Sequence, residues 1–368
     1  MTASKKTVSI VIVLIMVVVA AGVMTMVGHG GPSDDSPDDG TDTGREPIVN
    51  DIPEGFTYDE STHILSTDSD VRWHITDNYH THMVDRNRVY SGYEEYGSEV
   101  KLDVGHYTVI VGDVEFDVYV DGTITKTLDW TFRMNGSSFP MTVTYDILFR
   151  EFKESCDSNR SWNISSQAST RYMQFSEMGN LVVVDRTIRD LEDRLESEYV
   201  RIGGSVDDRQ GYADFIACFV QLAIKYPSSV PDRSFDYFVW GMDEYWCVPL
   251  ETLYHATGDC EDTSALFCAL SISAGYQVAM GGHSGHVFAG VVIDDFQENS
   301  FDGFPSYRLS YGQGITAMDG DGPVYGDAVY RSVETIRGQL PVGYLSGGNT
   351  HFGSNTFWGY SGFYPVSG

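Results

Sequence analysis

The sequence is poor in basic residues, in cysteine and in long hydrophobic runs. Its 368 residues include 53 acidic and 23 basic ones, few of them lysine, which gives a formal net charge of −30. Such a chain has little with which to neutralise phosphates, and this excludes nucleic acid as a partner. Five cysteines are too few for a disulfide scaffold. Outside a cell, an odd count leaves at least one thiol free or paired with another molecule.

One stretch is long and apolar enough to cross a membrane as a helix. Residues 7–27 carry no charge, two lysines precede them and an acidic stretch follows. Because positive charge stays on the cytoplasmic side, residues 1–6 are expected in the cytoplasm and the rest outside. A cleaved secretory signal is the alternative and leads to the same location, but we favour an uncleaved single-pass anchor in the cell membrane. Two glycosylation triplets, at Asn135 and Asn163, fit an exposed location, although such triplets often arise by chance.

The chain beyond the anchor divides by composition into a linker, a β-rich domain, an α+β domain and a tail. The linker is rich in Gly, Pro, Ser and Asp and cannot bury enough apolar surface to fold. The next part alternates apolar and polar residues between turn residues, which predicts a small all-β, sandwich-like domain. Helices followed by strands then predict an α+β domain. The boundaries are 28–50 for the disordered acidic linker, 51–150 for the β-rich domain, 185–345 for the α+β domain and 346–368 for the Gly- and aromatic-rich tail.

Several elements inside these domains can be predicted individually. Asn135-Gly136 lies between two alternating runs and predicts a β-hairpin. Cys218 and Cys268 lie on two helices that look buried, and we expect both to be unpaired apolar fillers. The sequence predicts helices over 185–199 and 212–226, a short helix starting at 249 and a long buried one starting at 260, then strands over 276–282, 286–294 and 328–336.

The segment GDCED, residues 258–262, lies where a turn meets the long buried helix. Asp259 is the expected N-cap, and Asp262 completes a capping-box arrangement. Cys260 then takes the first helical position, where the helix dipole lowers a thiol pKa and favours the nucleophilic thiolate. Glu261 and Asp262 oppose this effect, so the thiol needs a cationic partner. A structural cysteine normally lies within an apolar stripe, whereas Cys260 lies at the polar end of its helix.

The predicted partner is His286, which opens an otherwise apolar strand. Its simpler interpretation is a hydrogen-bonded histidine at a strand end. His283 is the rival base, but a glycine turn separates it from the strand. An acid should orient the imidazole through its other ring nitrogen, and Glu334 lies on a strand that can pair antiparallel with the His286 strand. Asp294 and Asp295 are alternatives at the far end of the histidine's own strand, and Glu334 itself can be read as an ordinary exposed acid.

These motifs resemble the transglutaminase-like superfamily of cysteine acyl-transfer enzymes, and more closely its membrane-anchored or secreted archaeal and bacterial members. The resemblance rests on GDCED, on the Gly-His pair that ends at His286 and on the acid-Thr pair that starts at Glu334, and it covers roughly residues 185–344. It implies a papain-like or transglutaminase-like core, in which helices pack on an antiparallel sheet. This chain has Glu where many relatives have Asp, and its loop over 294–329 is long.

The resemblance also implies roles for individual residues. Cys260 would be the nucleophile, His286 the general base and acid, and Glu334 the orienting acid. Gln221 matches a glutamine often found upstream in similar sequences. It would line the site or donate to an oxyanion, and a buried structural amide is the alternative.

The predicted function is therefore a cysteine enzyme outside the cytoplasm that acts on amide bonds of proteins or peptides through a Cys260 thioester. We favour hydrolysis by a peptidase or amidase. One alternative is a transglutaminase that cross-links proteins, and another is a catalytically inactive binding module of the cell envelope. No cofactor is required, and the thiols and histidines lack the paired spacing of a zinc site. The acidic stretch from Asp319 to Asp327 could hold calcium, but a solvated turn is the simpler interpretation.

Overall fold

The apolar–polar alternation in the first part of the chain corresponds to antiparallel strands in the computed structural model of the protein. Within the described residues, no helix is both long and apolar enough to span a bilayer. The predicted anchor, the linker as far as residue 47 and most of the acidic stretch over 319–327 lie outside those residues. The structure describes residues 48–84, 87–169, 175–226, 236, 240, 242, 244–283, 286–297, 315–316, 318–319, 322–323, 329–336, 340–343 and 362–366.

The first five strands form one curled antiparallel sheet with its own apolar core. They are β1 Phe56–Asp59, β2 Ile64–Val84, β3 Asn87–Lys101, β4 Gly105–Val111 and β5 Val114–Val120. The strands follow the order β1-β2-β4-β5, and β3 also pairs with β2. Trp73, Val109 and Val118 are fully buried inside this sheet. The alternation predicted two facing sheets, whereas in the described residues a single curled sheet surrounds this core.

The next two strands, β6 Thr123–Met134 and β7 Ser137–Leu148, form a hairpin. Asn135 and Gly136 both have positive φ, 52° and 73°, as a tight turn between twisted strands requires, so the predicted hairpin is confirmed. One face of the hairpin is buried and packs against helices, and the rings of Phe132 and Phe215 lie 4.9 Å apart. The hairpin therefore shares the core of the helical part, within one compact unit from Ile48 to Gly368.

The helices carry the caps that their sequences indicate. The structure describes α1 Phe149–Ser169, a 3₁₀ helix Phe175–Leu181, α2 Arg186–Arg201, α3 Arg209–Ala223, α4 Pro249–His255 and α5 Cys260–Ser273. Asp185 caps α2 by accepting the Ile188 N–H at 2.8 Å, and Asp208 caps α3 by accepting the Gly211 N–H at 3.0 Å. The helices α2 to α5 confirm the four helices predicted from the sequence, and α5 is buried on nearly all sides. The sequence did not predict α1.

The last part of the described chain forms a second antiparallel sheet. Its strands are β8 Val278–His283, β9 His286–Val292, β10 Ile315–Thr316, β13 Val329–Val333 and β14 Gly362–Pro365, in the order β10-β13-β9-β8-β14; β11 Met318–Asp319 and β12 Gly322–Pro323 pair separately. β13 runs antiparallel to β9, with Val333 opposite Ala289, which confirms the predicted pairing. The fold is thus α+β. The start of β9 and the end of β13 meet at the same edge of this sheet.

Candidate active site

Cys260 is the first residue of α5, where the sequence placed it. The Asp259 N–H donates to Asp262 Oδ2 at 3.3 Å, and Asp262 Oδ1 accepts the Cys247 N–H at 2.8 Å. Asp262 is fully buried. Its carboxylate therefore holds both the start of the helix and the loop in front of α4. Cys260 itself is half-buried.

The surroundings of the thiol differ from the prediction. Burial, and after it the charges of Asp259 and Asp262, raise the pKa of Cys260 to about 12. A hydrogen bond with Glu261, 3.0 Å from Sγ to Oε2, and one from the Val287 N–H lower this pKa, but by less. The sequence predicted a lowered pKa from the helix dipole. Instead, desolvation and the neighbouring carboxylates outweigh the helix terminus, and the resting thiol is neutral.

His286 and Glu334 are in direct contact at the edge of the second sheet. His286 Nε2 lies 3.3 Å from each carboxylate oxygen of Glu334. Glu334 is fully buried, and its Oε1 also accepts the N–H groups of Thr335 at 3.1 Å and Ile336 at 3.4 Å. These hydrogen bonds hold the Glu334 carboxylate against the His286 imidazole. The Val287 N–H also hydrogen-bonds the Cys260 thiol, so the backbone that follows His286 at the start of β9 lies against Cys260.

The chain matches no known family model, and no curated protein or solved structure is significantly similar to it. The transglutaminase-like resemblance therefore rests on the sequence motifs alone.

A pair of hydroxyl bridges joins the end of β13 to the first turn of α5. Thr335 Oγ1 lies 3.0 Å from both Thr263 Oγ1 and Ser264 Oγ, and all three side chains are buried. Ser264 Oγ in turn donates to the Cys260 carbonyl at 2.6 Å. The sheet that carries His286 and Glu334 is thereby tied to the helix that carries Cys260. Sequence reasoning missed this link, and its only signal was the threonine in the acid-Thr pair.

Gln221, on α3, holds the segment that follows β13. Its Nε2 donates to the Glu334 carbonyl at 2.6 Å and to the Leu340 carbonyl at 2.9 Å, and its Oε1 accepts the Leu340 N–H at 2.7 Å. Both amide hydrogens are engaged, so Gln221 has the alternative role of a buried structural amide. It has no hydrogen left to donate to an oxyanion. Asp214, about two turns earlier on α3, accepts the Val342 N–H at 2.6 Å. Gln221 thus positions the backbone of Glu334, and Asp214 anchors the segment that follows it.

The remaining candidates lie farther from this geometry, and one neighbour was missed. Asp294 and Asp295 are exposed after the far end of β9, away from His286. His283 pairs with His286 across the β8–β9 hairpin, and its side chain lies outside the described residues. Tyr226, beyond α3, is close enough to be influenced by the charges of Cys260 and Glu334, and burial raises its pKa. No spacing pattern in the sequence pointed to this tyrosine.

All five cysteines are free in the structure. Cys218 is buried with its Sγ 3.7 Å from the Thr131 carbonyl, and Cys268 is buried against Met280. Both are unpaired fillers, as predicted. Asn163 in contrast differs from the expectation of an exposed glycosylation triplet. It is fully buried, and its Oδ1 accepts the Trp246 N–H at 3.0 Å.

Proposed function

We propose that this protein is a transglutaminase-like cysteine enzyme that hydrolyses amide bonds of proteins or peptides outside the cytoplasm, with Cys260, His286 and Glu334 as its catalytic groups. The observation that carries the proposal is the His286–Glu334 contact beside a thiol at a helix N-terminus. A papain-like arrangement, with the thiol on a helix and the base and acid on a sheet, is part of the same proposal.

The geometry suggests how the proton moves. Glu334 contacts Nε2 of His286, which leaves Nδ1 as the ring nitrogen for the thiol. Because the resting thiol is neutral, its proton passes to His286 as Sγ attacks the substrate carbonyl. The imidazolium formed is stabilised by the Glu334 carboxylate and returns the proton to the leaving amine. Water then attacks the thioester, His286 acts again as base, and the acid product leaves.

Two groups are available to stabilise the oxyanion. Cys260 opens α5, so its own N–H belongs to the first turn, whose N–H groups lack partners within the helix. The Tyr226 hydroxyl is the second donor near the site. With Gln221 engaged on backbone carbonyls, these two replace it in our proposal.

One observation favours a second candidate, a catalytically inactive binding module. Burial, and after it the carboxylates of Asp259 and Asp262, raise the pKa of the Cys260 thiol and oppose formation of the thiolate. A module would keep the fold and bind peptides without turnover. Transglutamination by the same thioester is the remaining alternative and differs only in the acceptor, an amine instead of water.

The test is turnover together with trapping of the covalent intermediate. The protein is incubated with a mixture of quenched fluorescent peptides, with and without a fluorescent primary amine, and the acyl-enzyme is sought by mass spectrometry after acid quench. We expect peptide cleavage and an adduct on Cys260, both lost in Cys260→Ala and His286→Ala, while Glu334→Gln retains a small fraction. Cys268→Ala and His283→Ala are the matched thiol and imidazole controls and should keep full activity.

The competing functions give distinct results in this assay. Incorporation of the amine in place of cleavage identifies a cross-linking enzyme. Peptide binding with no turnover and no adduct at any pH identifies the module. A cleavage activity that survives Cys260→Ala would refute the assignment of the nucleophile.

A further inference from the structure

Three carboxylates converge beside the candidate active site, and one of them, Glu261, also hydrogen-bonds the Cys260 thiol. One carboxylate oxygen from each of Asp236, Glu244 and Glu261 lies within 4.8 Å of the others. Asp236 and Glu261 are only 1% and 3% exposed, whereas Glu244 is exposed to solvent. Three acidic groups this close repel one another strongly when two of them are buried.

Within the described part of the chain, neither Asp236 nor Glu261 forms an ion pair with a basic residue. Asp236 Oδ2 accepts the Tyr245 N–H at 2.9 Å, but its Oδ1 is buried with no hydrogen-bond partner among those residues. A buried carboxylate oxygen without a partner is unfavourable, and in native proteins an ordered water, a ligand or an ion usually satisfies it. Asp236 is thus a second, independent sign of a ligand in this acidic group.

We infer that Asp236, Glu244 and Glu261 bind a divalent cation with the chemistry of Ca²⁺. Calcium takes oxygen ligands at about 2.3–2.6 Å, so oxygens on opposite sides of the ion lie up to about 5 Å apart. Three oxygen atoms within 4.8 Å of one another are close enough to contact one such ion. A set of carboxylates without a nitrogen or sulfur ligand favours calcium over zinc, whose sites in proteins are built mainly on His and Cys. None of these three residues belongs to the acidic stretch over 319–327.

The ligands are held by surrounding contacts, as a preorganised site requires. Trp246 Nε1 donates to Glu244 Oε1 at 3.0 Å, and the Tyr245 N–H fixes the Asp236 carboxylate. Glu261 is the second residue of α5 and is fixed by the helix. Because Glu244 is exposed, the ion has a path from solvent. A bound cation would join the loop in front of α4 to the first turn of α5.

The cation can be measured with Tb³⁺, which occupies calcium sites and luminesces when a nearby indole is excited. Trp246 touches Glu244 and is therefore within transfer distance. For the full-length protein at high salt we expect saturable Tb³⁺ luminescence on indole excitation, displaced by Ca²⁺. Asp236→Asn keeps an oxygen for the Tyr245 N–H but removes the charge, and Glu244→Gln does the same for the exposed ligand. Each should weaken Tb³⁺ and Ca²⁺ binding by at least about tenfold.

Controls separate this site from the acidic surface. Glu115→Gln removes one exposed carboxylate on β5 and should bind both ions as the unmodified protein does. Calcium should raise the melting temperature of the unmodified protein but not of Asp236→Asn, and without calcium Asp236→Asn should melt at the same temperature or higher because repulsion is relieved.

Three results would overturn the inference: no saturable luminescence, equal binding by Asp236→Asn, or a loss in Asp236→Asn no larger than in Glu115→Gln. A fall in melting temperature of Asp236→Asn with no calcium effect in the unmodified protein would assign Asp236 a purely structural role. None of these readouts uses the thiol, so the cation site and the proposed amide hydrolysis stand or fall separately.

Discussion

Asp214→Asn should change how the stability of this protein depends on pH. Asp214 is buried on α3 with no basic partner among its described contacts, and burial raises the pKa of its carboxyl to about 8. An unfolded aspartate titrates near its ordinary value of 3.8. Between these values the folded state binds a proton that the unfolded state has lost, so stability falls as pH rises. The slope is about 1.4 kcal/mol per pH unit, or about 3 to 4 kcal/mol at most between pH 5 and pH 8.

The substitution isolates this contribution from the other buried acids. Asn cannot ionise, and its carbonyl oxygen can still accept the Val342 N–H that Asp214 now accepts at 2.6 Å. Urea unfolding at pH 5, 6, 7 and 8 should show that the free energy of unfolding of the variant increases relative to that of the unmodified protein as pH rises. Asp193→Asn, an exposed acid on α2, is the control and should give parallel curves. A difference between the Asp214 variant and the unmodified protein that stays constant from pH 5 to pH 8 would refute the raised pKa.

Three further substitutions test the contacts around Glu334 and Cys260. Thr335→Val keeps the shape of the side chain but removes two buried hydroxyl bridges. Urea unfolding should show a free energy of unfolding lower by about 1–2 kcal/mol. Unchanged stability would contradict the link between Thr335 and α5. Gln221→Leu leaves backbone groups at both ends of the 334–340 segment unpaired. It should lower the free energy of unfolding by at least about 3 kcal/mol and also lower turnover. An active and equally stable variant would refute the positioning role. Asp259→Asn removes a charge that raises the pKa of the thiol, so iodoacetamide should alkylate Cys260 faster at pH 9, as followed by peptide mass spectrometry. An equal or slower rate would show that this repulsion is absent.

Local patterns were enough to predict most of the elements. The helices α2 to α5 follow apolar periodicity and caps such as Asp185, and the β6–β7 hairpin follows from Asn135-Gly136. The helix α1 was missed because its stripe is weak: two of its buried side chains are Asn159 and Asn163. Both bond the Trp246 carbonyl, a partner more than 80 positions away, so nothing local marks them as core residues.

Part of the candidate site could also be predicted from local sequence patterns. The order of strands and their antiparallel pairing bring His286 to Glu334, and the motif places Cys260 at a helix start. The pKa of the thiol was predicted in the wrong direction, because the sequence shows two adjacent acids but not how deeply the site is buried. The hydroxyl bridges at Thr335 depend on how helix and sheet pack, and the clamp at Gln221 depends on the path of a distant segment. Neither contact can be predicted from the spacing of neighbouring residues in the sequence.

Burial of Asn163 would make any glycosylation of this chain depend on the order in which it folds. In the folded protein the Asn163 amide accepts the Trp246 N–H and donates to two groups of Asn159, so it has no room for a sugar. Asn135 lies exposed in a hairpin turn and stays accessible before and after folding. In a host that attaches glycans to exported chains, a molecule modified at Asn135 alone docked α1 before the transferase reached it. A molecule modified at both sites was caught unfolded, and its sugar then keeps the loop at Trp246 from closing.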